Sequence, residues 1–151
     1  MEGYRKKYPD VPAILNYLSI AFERTNQEEK YYNTLVETNE RFPDYIFGKI
    51  SLGEYYLASE ETGKIADLLD HKFEITQHYP SGTEAFHISA VRGFYYVTGR
   101  YFARTGKIEL AYNSYFLLSD LDMDNVSTEI LGQEIIAYEL QIWIRRCEID
   151  S

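Results

Sequence analysis

The sequence predicts an all-α chain, an α-α superhelix built from antiparallel helix pairs. Two observations carry that expectation. Three aromatic–proline pairs, Tyr8-Pro9, Phe42-Pro43 and Tyr79-Pro80, punctuate the chain, and the prolines stand 34 and 37 residues apart. That spacing is the period of stacked helix-pair repeats. Between the marks, apolar residues recur at the three- and four-residue spacing of a helix.

Composition sets the bounds. At 151 residues the chain is one domain, large enough to bury a core without disulfides or metal. Hydrophobic residues make up 45% and charged residues 26%, the proportions of an ordered globular protein. The unusual feature is 15 Tyr and 8 Phe against a single Trp. The net charge of −9 argues against nucleic acid, and Arg5-Lys6-Lys7 is too small a basic cluster to reverse that. The one cysteine, Cys147, excludes an internal disulfide, leans toward a reducing compartment and reads as a small apolar filler. No stretch reaches the ~20 apolar residues of a membrane span. The N-terminus lacks the apolar core of a signal peptide, so a cytoplasmic location is expected.

The elements follow in order. Residues 1–10, with Tyr4 to Pro9 ending as later helices end, read as the remnant of a preceding unit in a longer array, or as a truncated unit that caps the N-terminus. A first unit, 11–44, holds Leu15-x-x-Leu18-Ser19-x-x-Phe22, a turn at Asn26, and Tyr31-x-x-x-Leu35. Asn tolerates the left-handed turn that ends a helix. A second unit, 45–81, has Leu52-Gly53-x-x-Tyr56; its glycine, Gly63, falls three residues late, which accounts for 37 in place of 34. Leu68 and Phe73 supply the contacts of its second helix. A third unit, 82–124, opens on the capping box Ser81-x-x-Glu84 and carries Tyr95-x-x-Thr98-Gly99-x-x-Phe102, Gly106 and Ala111-x-x-x-Tyr115. Its first helix is some nine residues longer than the other units require, so its first turns should project about 13 Å, with any bend at Gly93. Residues 125–151 form a last helix, and Leu131-Gly132-x-x-Ile135 echoes the start of a unit. The predicted helices are 11–25, 27–42, 45–62, 64–78, 82–105, 107–120 and 128–147.

The pattern over 92–118 resembles the tetratricopeptide repeat signature, and the resemblance extends from about Val11 to Glu148. It implies three repeats plus a capping helix in a right-handed solenoid, with a non-enzymatic role in binding proteins. Tyr31 departs from the signature, which sets Ala there. Carried over by register, the positions that line the concave groove in this family are Asn16, Ile20, Glu23 and Arg24, then Phe47, Ile50, Glu54 and Leu57, then Tyr96, Arg100 and Arg104. The family's carboxylate clamp is not matched, because Ile20, Asn16, Gly93 and Val97 occupy its positions. Glu54 and Arg100 either pair with each other or meet a ligand. A mixed apolar and charged groove suits an extended peptide or an amphipathic helix.

No catalytic residues and no cofactor are expected. His71-x-x-Glu74-x-x-x-His78 would share one helical face, yet seven residues separate the imidazoles by about 10 Å, too far for one metal. Glu28-Glu29 and Glu60-Glu61 read as solvated helix ends. Gly63-Lys64-Ile65 and Gly106-Lys107-Ile108 lack the rest of a phosphate loop. Two further readings stand beside the interaction module: a non-catalytic segment of a larger enzyme or scaffold, and a self-associating assembly unit. The last helix bears on the latter. Ile135, Tyr138 and Ile142 can pack on helix 107–120, while Ile136, Leu140 and Trp143 form a second stripe. That stripe meets a second copy, meets the next element of a longer protein, or folds back onto the third repeat.

Overall fold

The computed structural model describes residues 2–150, and its regular structure there is helical, with no strand among the described residues. The order is α1 (Glu2–Lys7), α2 (Pro12–Arg24), α3 (Glu28–Arg41), α4 (Ile46–Ala58), α5 (Lys64–Leu68), a 3₁₀ turn (Ile75–His78), α6 (Ile88–Arg104), α7 (Ile108–Leu121) and α8 (Val126–Ile149). Compactness groups them into two units, Met1–Glu84 and Ala85–Ser151.

In the first unit, α2 and α3 form an antiparallel pair and α4 returns against both. Pro12 at the first helical turn starts α2 where its missing N–H costs nothing. Leu15, Leu18, Leu35, Ile46, Leu52 and Leu57 make the core, closed from the far side by Ile65, Leu69 and Ile75. Asn26 ends the first pair's turn at φ 54, and the N–H of Gln27 reaches back to the carbonyl of Phe22 at 2.9 Å.

The second unit repeats this plan. Helix α6 pairs with α7, and α8 packs on both. Gly106 takes φ 77, and the N–H of Lys107 bonds the carbonyl of Phe102 at 2.9 Å. Phe94, Val97, Phe102, Ala111, Leu118, Leu131 and Ile135 form the core. Gly99 marks the tightest approach. A Cβ there would lie 2.7 Å from Leu131 Cδ2 and 2.8 Å from Ser114 Cβ.

The two plans share one offset. Helix α3 spans Glu28–Arg41 and α7 spans Ile108–Leu121, so both boundaries are displaced by 80 residues. Helices α4 and α8 begin at Ile46 and Val126, and α2 and α6 end at Arg24 and Arg104, with the same displacement. Small interactions keep step: Thr34 and Ser114 each bond the carbonyl four residues back, and Thr25 and Thr105 do likewise at the turns. In this register Leu52, not Gly53, is the counterpart of Gly132, so the sequence echo at 131–135 is one residue out.

Three sequence expectations are corrected. Gly63 is not the left-handed turn of the second pair, since its φ is −60. Glu60 takes that conformation at φ 60, and Glu61 N–H closes on Tyr56 O at 2.8 Å, the bond made by Gln27 and Lys107 at the other turns. The turn is therefore not late: Glu60 follows Asn26 by 34 residues.

The helix expected over 64–78 stops at Leu68. Asp70 and His71 turn left-handed at φ 53 and 56, and His71 N–H bonds the carbonyl of Ala66 at 2.8 Å. Lys72 stands where a continuing helix would need an apolar contact, and the buried Lys49 donates to the exposed end of α5 at Leu68 O, 3.0 Å away. The chain turns instead, and Ile75 is buried beyond the break.

Finally, α6 starts at Ile88 rather than Gly82. Gly82 at φ 85 sits in a turn from Pro80 to Thr83, a geometry no helical first turn allows, so the Ser81–Glu84 box caps nothing. His87 is the cap instead, its Nδ1 accepting from Ser89 N–H. Residues 82–87 are turn and extended chain, and α6, at 17 residues against 13 in α2 and α4, keeps part of the expected extra length and passes through Gly93 unbroken.

Candidate functional site

A cleft of about 310 Å³ opens where the end of α2, the start of α3 and the last turn of α4 meet. It is lined by the half-buried rings of Tyr31 and Tyr55 and by the exposed Glu23, Glu28, Asn26 and Ala58. The rings are locked to one another: Tyr31 meets Tyr55 edge-on at 5.7 Å, and Tyr32 lies over Tyr55 at 5.0 Å. Burial pushes the Tyr31 phenol up to about 12, and the carboxylates of Glu23 and Glu54 push it the same way. Burial raises Tyr55 too, and Glu28 and Glu61 add to the effect. Burial disfavours a charge of either sign; only the carboxylate share of these shifts favours a cation, and at Tyr55 Lys64 works against it.

The second unit explains why the cleft exists. At the 80-residue offset, Ala58 corresponds to Tyr138, Asn26 to Gly106 and Tyr31 to Ala111. There the Tyr138 phenol packs over Gly106, its oxygen 2.7 Å from where a Cβ would stand, and Ala111 is fully buried. Replacing the large residue by Ala58 and the small one by Tyr31 moves the ring from centre to wall. The Tyr138 phenol has no counterpart beside Asn26, and the second unit's own cleft, about 320 Å³, is lined by Tyr138 with Arg104 and Glu134 instead.

The groove positions read from the sequence divide. In the first unit, Asn16 Oδ1 accepts from Ser51 Oγ at 3.3 Å, which ties α2 to α4. Ile20 and Phe47 are half-buried, and Glu23, Arg24 and Glu54 are exposed. Ile50 and Leu57 belong to the core and present almost no surface. In the second unit, Tyr96, Arg100 and Arg104 come together around a residue the sequence reading did not single out. Arg100 donates through Nε and Nη2 to Glu134 Oε1, Arg104 donates to the same oxygen at 2.8 Å, and Arg100 also reaches the Tyr96 hydroxyl at 2.8 Å. Glu134 Oε2 is buried with no partner. Arg100 thus pairs within its own unit. The signals for the cleft were Tyr31 in place of Ala and Glu28 beside a turn; Glu134 had no local signal.

A second cleft of about 410 Å³, lined by Lys49, Asp70, Lys72 and His78 among others, surrounds the broken helix. Its polar groups hold the chain in shape. Lys49 bonds Leu68 O, and a ring nitrogen of His78 lies 2.8 Å from Lys72 O. Burial lowers the His78 pKa, an effect only partly offset by that carbonyl. The helical separation argued for His71 and His78 does not apply, because the helix ends before His71. Among the described residues, no group of three or more His, Cys, Asp or Glu side chains is placed to hold a metal ion.

On α8, Leu131 and Ile135 are buried, Tyr138 and Ile142 are partly covered, and Ile136, Leu140 and Trp143 are 64%, 54% and 63% exposed. No described helix is long and apolar enough to cross a membrane. No family model, curated protein or solved structure matches the chain.

Proposed function

We propose that the chain is a tetratricopeptide-like array that binds a peptide or helix of a partner protein, without catalysis, and that the Tyr31–Tyr55 cleft receives a basic side chain of that partner. What carries the reading is the cleft itself: two fixed aromatic rings beside exposed carboxylates, at a place where the same packing plan holds a phenol elsewhere in the chain. An Arg or Lys side chain fits both features. Its methylenes cover the rings, and its charge meets the ring faces and the carboxylates of Glu23 and Glu28. The array reading is supported by the adjacent first helices, α2 with α4 and α6 with α8, and by the recurrence of the turn at Asn26, Glu60 and Gly106.

A titration of the full chain with acetyl-Gly-Arg-Gly-amide, read by NMR of labelled tyrosines, tests it. Tyr31 and Tyr55 should shift, and the isosteric citrulline peptide should leave them in place. Replacing Glu23 and Glu28 by Gln should weaken the arginine response several-fold. Equal response to the two peptides, or none to either, removes the cleft as a basic-residue site.

A further inference from the structure

Helix α8 has two faces of different fate. The inner one, through Leu131, Ile135, Tyr138 and Ile142, packs on α6 and α7. The outer one runs Gln133, Ile136, Leu140, Trp143 and Cys147, with steps of three, four, three and four residues, and every one of these side chains is exposed. That alternation is the spacing along which two helices can pair as in a coiled coil. Ile144, also exposed, widens it. On one edge of the helix, seven residues apart, stand Glu139, which reaches Tyr112 on α7, and Arg146, both exposed. Glu139 spends one oxygen on the Tyr112 hydroxyl at 2.8 Å, and a carboxylate has a second to offer.

This charge arrangement identifies the occupant. In a parallel pairing, equal positions would run alongside at matching heights and place neither charge beside its opposite. In an antiparallel pairing about a two-fold axis, the same edge of each helix meets itself in reverse order. Glu139 of one copy then lies beside Arg146 of the other, and the reverse contact forms at the same time. Under that register Leu140 faces Trp143 of the second copy, and Ile136 faces Cys147. An edge with one acid and one base a heptad apart is complementary to itself.

We infer that the outer face of α8 is the interface of an antiparallel homodimer, centred between Leu140 and Trp143. This goes beyond the proposed ligand role and does not depend on it, since the surface lies wholly within the second unit. The paired segments run about 27 Å, from residue 133 to 150. A contact of that length is at the small end of stable interfaces, so the dimer should dissociate on dilution.

Sedimentation velocity on the full chain over a concentration series is the first measurement. The mass should rise from 17.7 kDa toward twice that value. Trp143→Glu should stay monomeric with an unchanged helical circular dichroism signal, because the ring is mostly exposed. Glu139→Arg or Arg146→Glu alone should weaken association about tenfold, and the two together should restore it, since the swap rebuilds both pairs. Ile136→Cys beside the native Cys147 should give a disulfide dimer under mild oxidation. Cys147 alone should not, because two copies of it would stand about 16 Å apart. A wild-type monomer at every concentration overturns the inference and leaves the face to a helix of another protein. A double charge variant no tighter than the singles, or efficient crosslinking through Cys147 alone, overturns the antiparallel register.

Discussion

Arg100 on α6 and Glu134 on α8 are joined by two hydrogen bonds to one oxygen, at 3.0 and 2.6 Å, with Arg104 completing the grip. Burial would raise the Glu134 pKa, but the two guanidiniums outweigh it and hold the carboxyl below its ordinary value. Replacement by Gln leaves the half-buried Arg100 and the exposed Arg104 without their counter-charge and should cost about 1–3 kcal/mol. The pH dependence has a definite sign. A depressed folded pKa stabilises the fold above the unfolded value, near 4.3, and the contribution fades as pH falls through the folded one. Melting curves of wild type and Glu134→Gln should therefore differ at neutral pH and converge in acid.

Gly99 leaves no room for a side chain. The Leu131 methyl can move, but Ser114 Cβ is fixed to the α7 backbone, and a Cβ would meet both below 3.0 Å. Gly99→Ala should destabilise by about 1–3 kcal/mol, and Gly99→Leu by more. Thermal denaturation checks the order; an unchanged midpoint for the leucine variant would contradict the packing of α6 on α7 and α8.

Glu60 bears a strain that its counterparts avoid. At φ 60 a β-carbon costs about 1 kcal/mol or more, which Gly106 escapes and Asn26 lessens. Glu60→Gly should raise stability by several tenths of a kcal/mol after the added chain entropy of glycine is counted. Gly106→Ala should do the opposite and do it strongly, because the new Cβ also meets the Tyr138 hydroxyl. Urea unfolding of the two variants gives shifts of opposite sign.

Tyr31 predicts an alkaline transition. Its phenol is held up near 12, chiefly by burial and then by Glu23 and Glu54. Stability from that shift is complete below the unfolded value near 10 and is lost as pH rises through the folded one. Tyr31→Phe should flatten the decline between those limits. Glu23→Gln should bring the Tyr31 titration, followed by ¹³Cζ chemical shift, back toward 10.

The sequence made most of the fold legible because aromatic–Pro endings and the apolar period are local signals. Helices α2, α3, α7 and α8 lie within two residues of their predicted ends for that reason. The broken segment was hidden because Leu68, Leu69, Phe73 and Ile75 keep an apolar count that a helix could use. Only the position of Lys49, brought from α4 to cap α5, shows why the helix ends. The capping box at Ser81 failed because Gly82, inside it, took a left-handed turn. Of the candidate site, Glu23 was legible by register, and the Tyr31 substitution was visible as an anomaly. Tyr55 and Ala58 were not, since what makes them a pocket is the absence of a ring that Tyr138 supplies 80 residues away.

Within each unit, every helix packs on the next along the chain or the next but one. Contacts of that kind close short loops and lose little entropy before they gain anything. Folding rates follow this locality, and chains built so fold in microseconds to milliseconds, far faster than sheets of equal size. A ribosome releasing this chain at ~10 residues per second would see α2–α4 assembled long before α6 emerged. The alternation of turn and hairpin inside a unit is thus also a schedule, in which each helix meets its partner there soon after it is made.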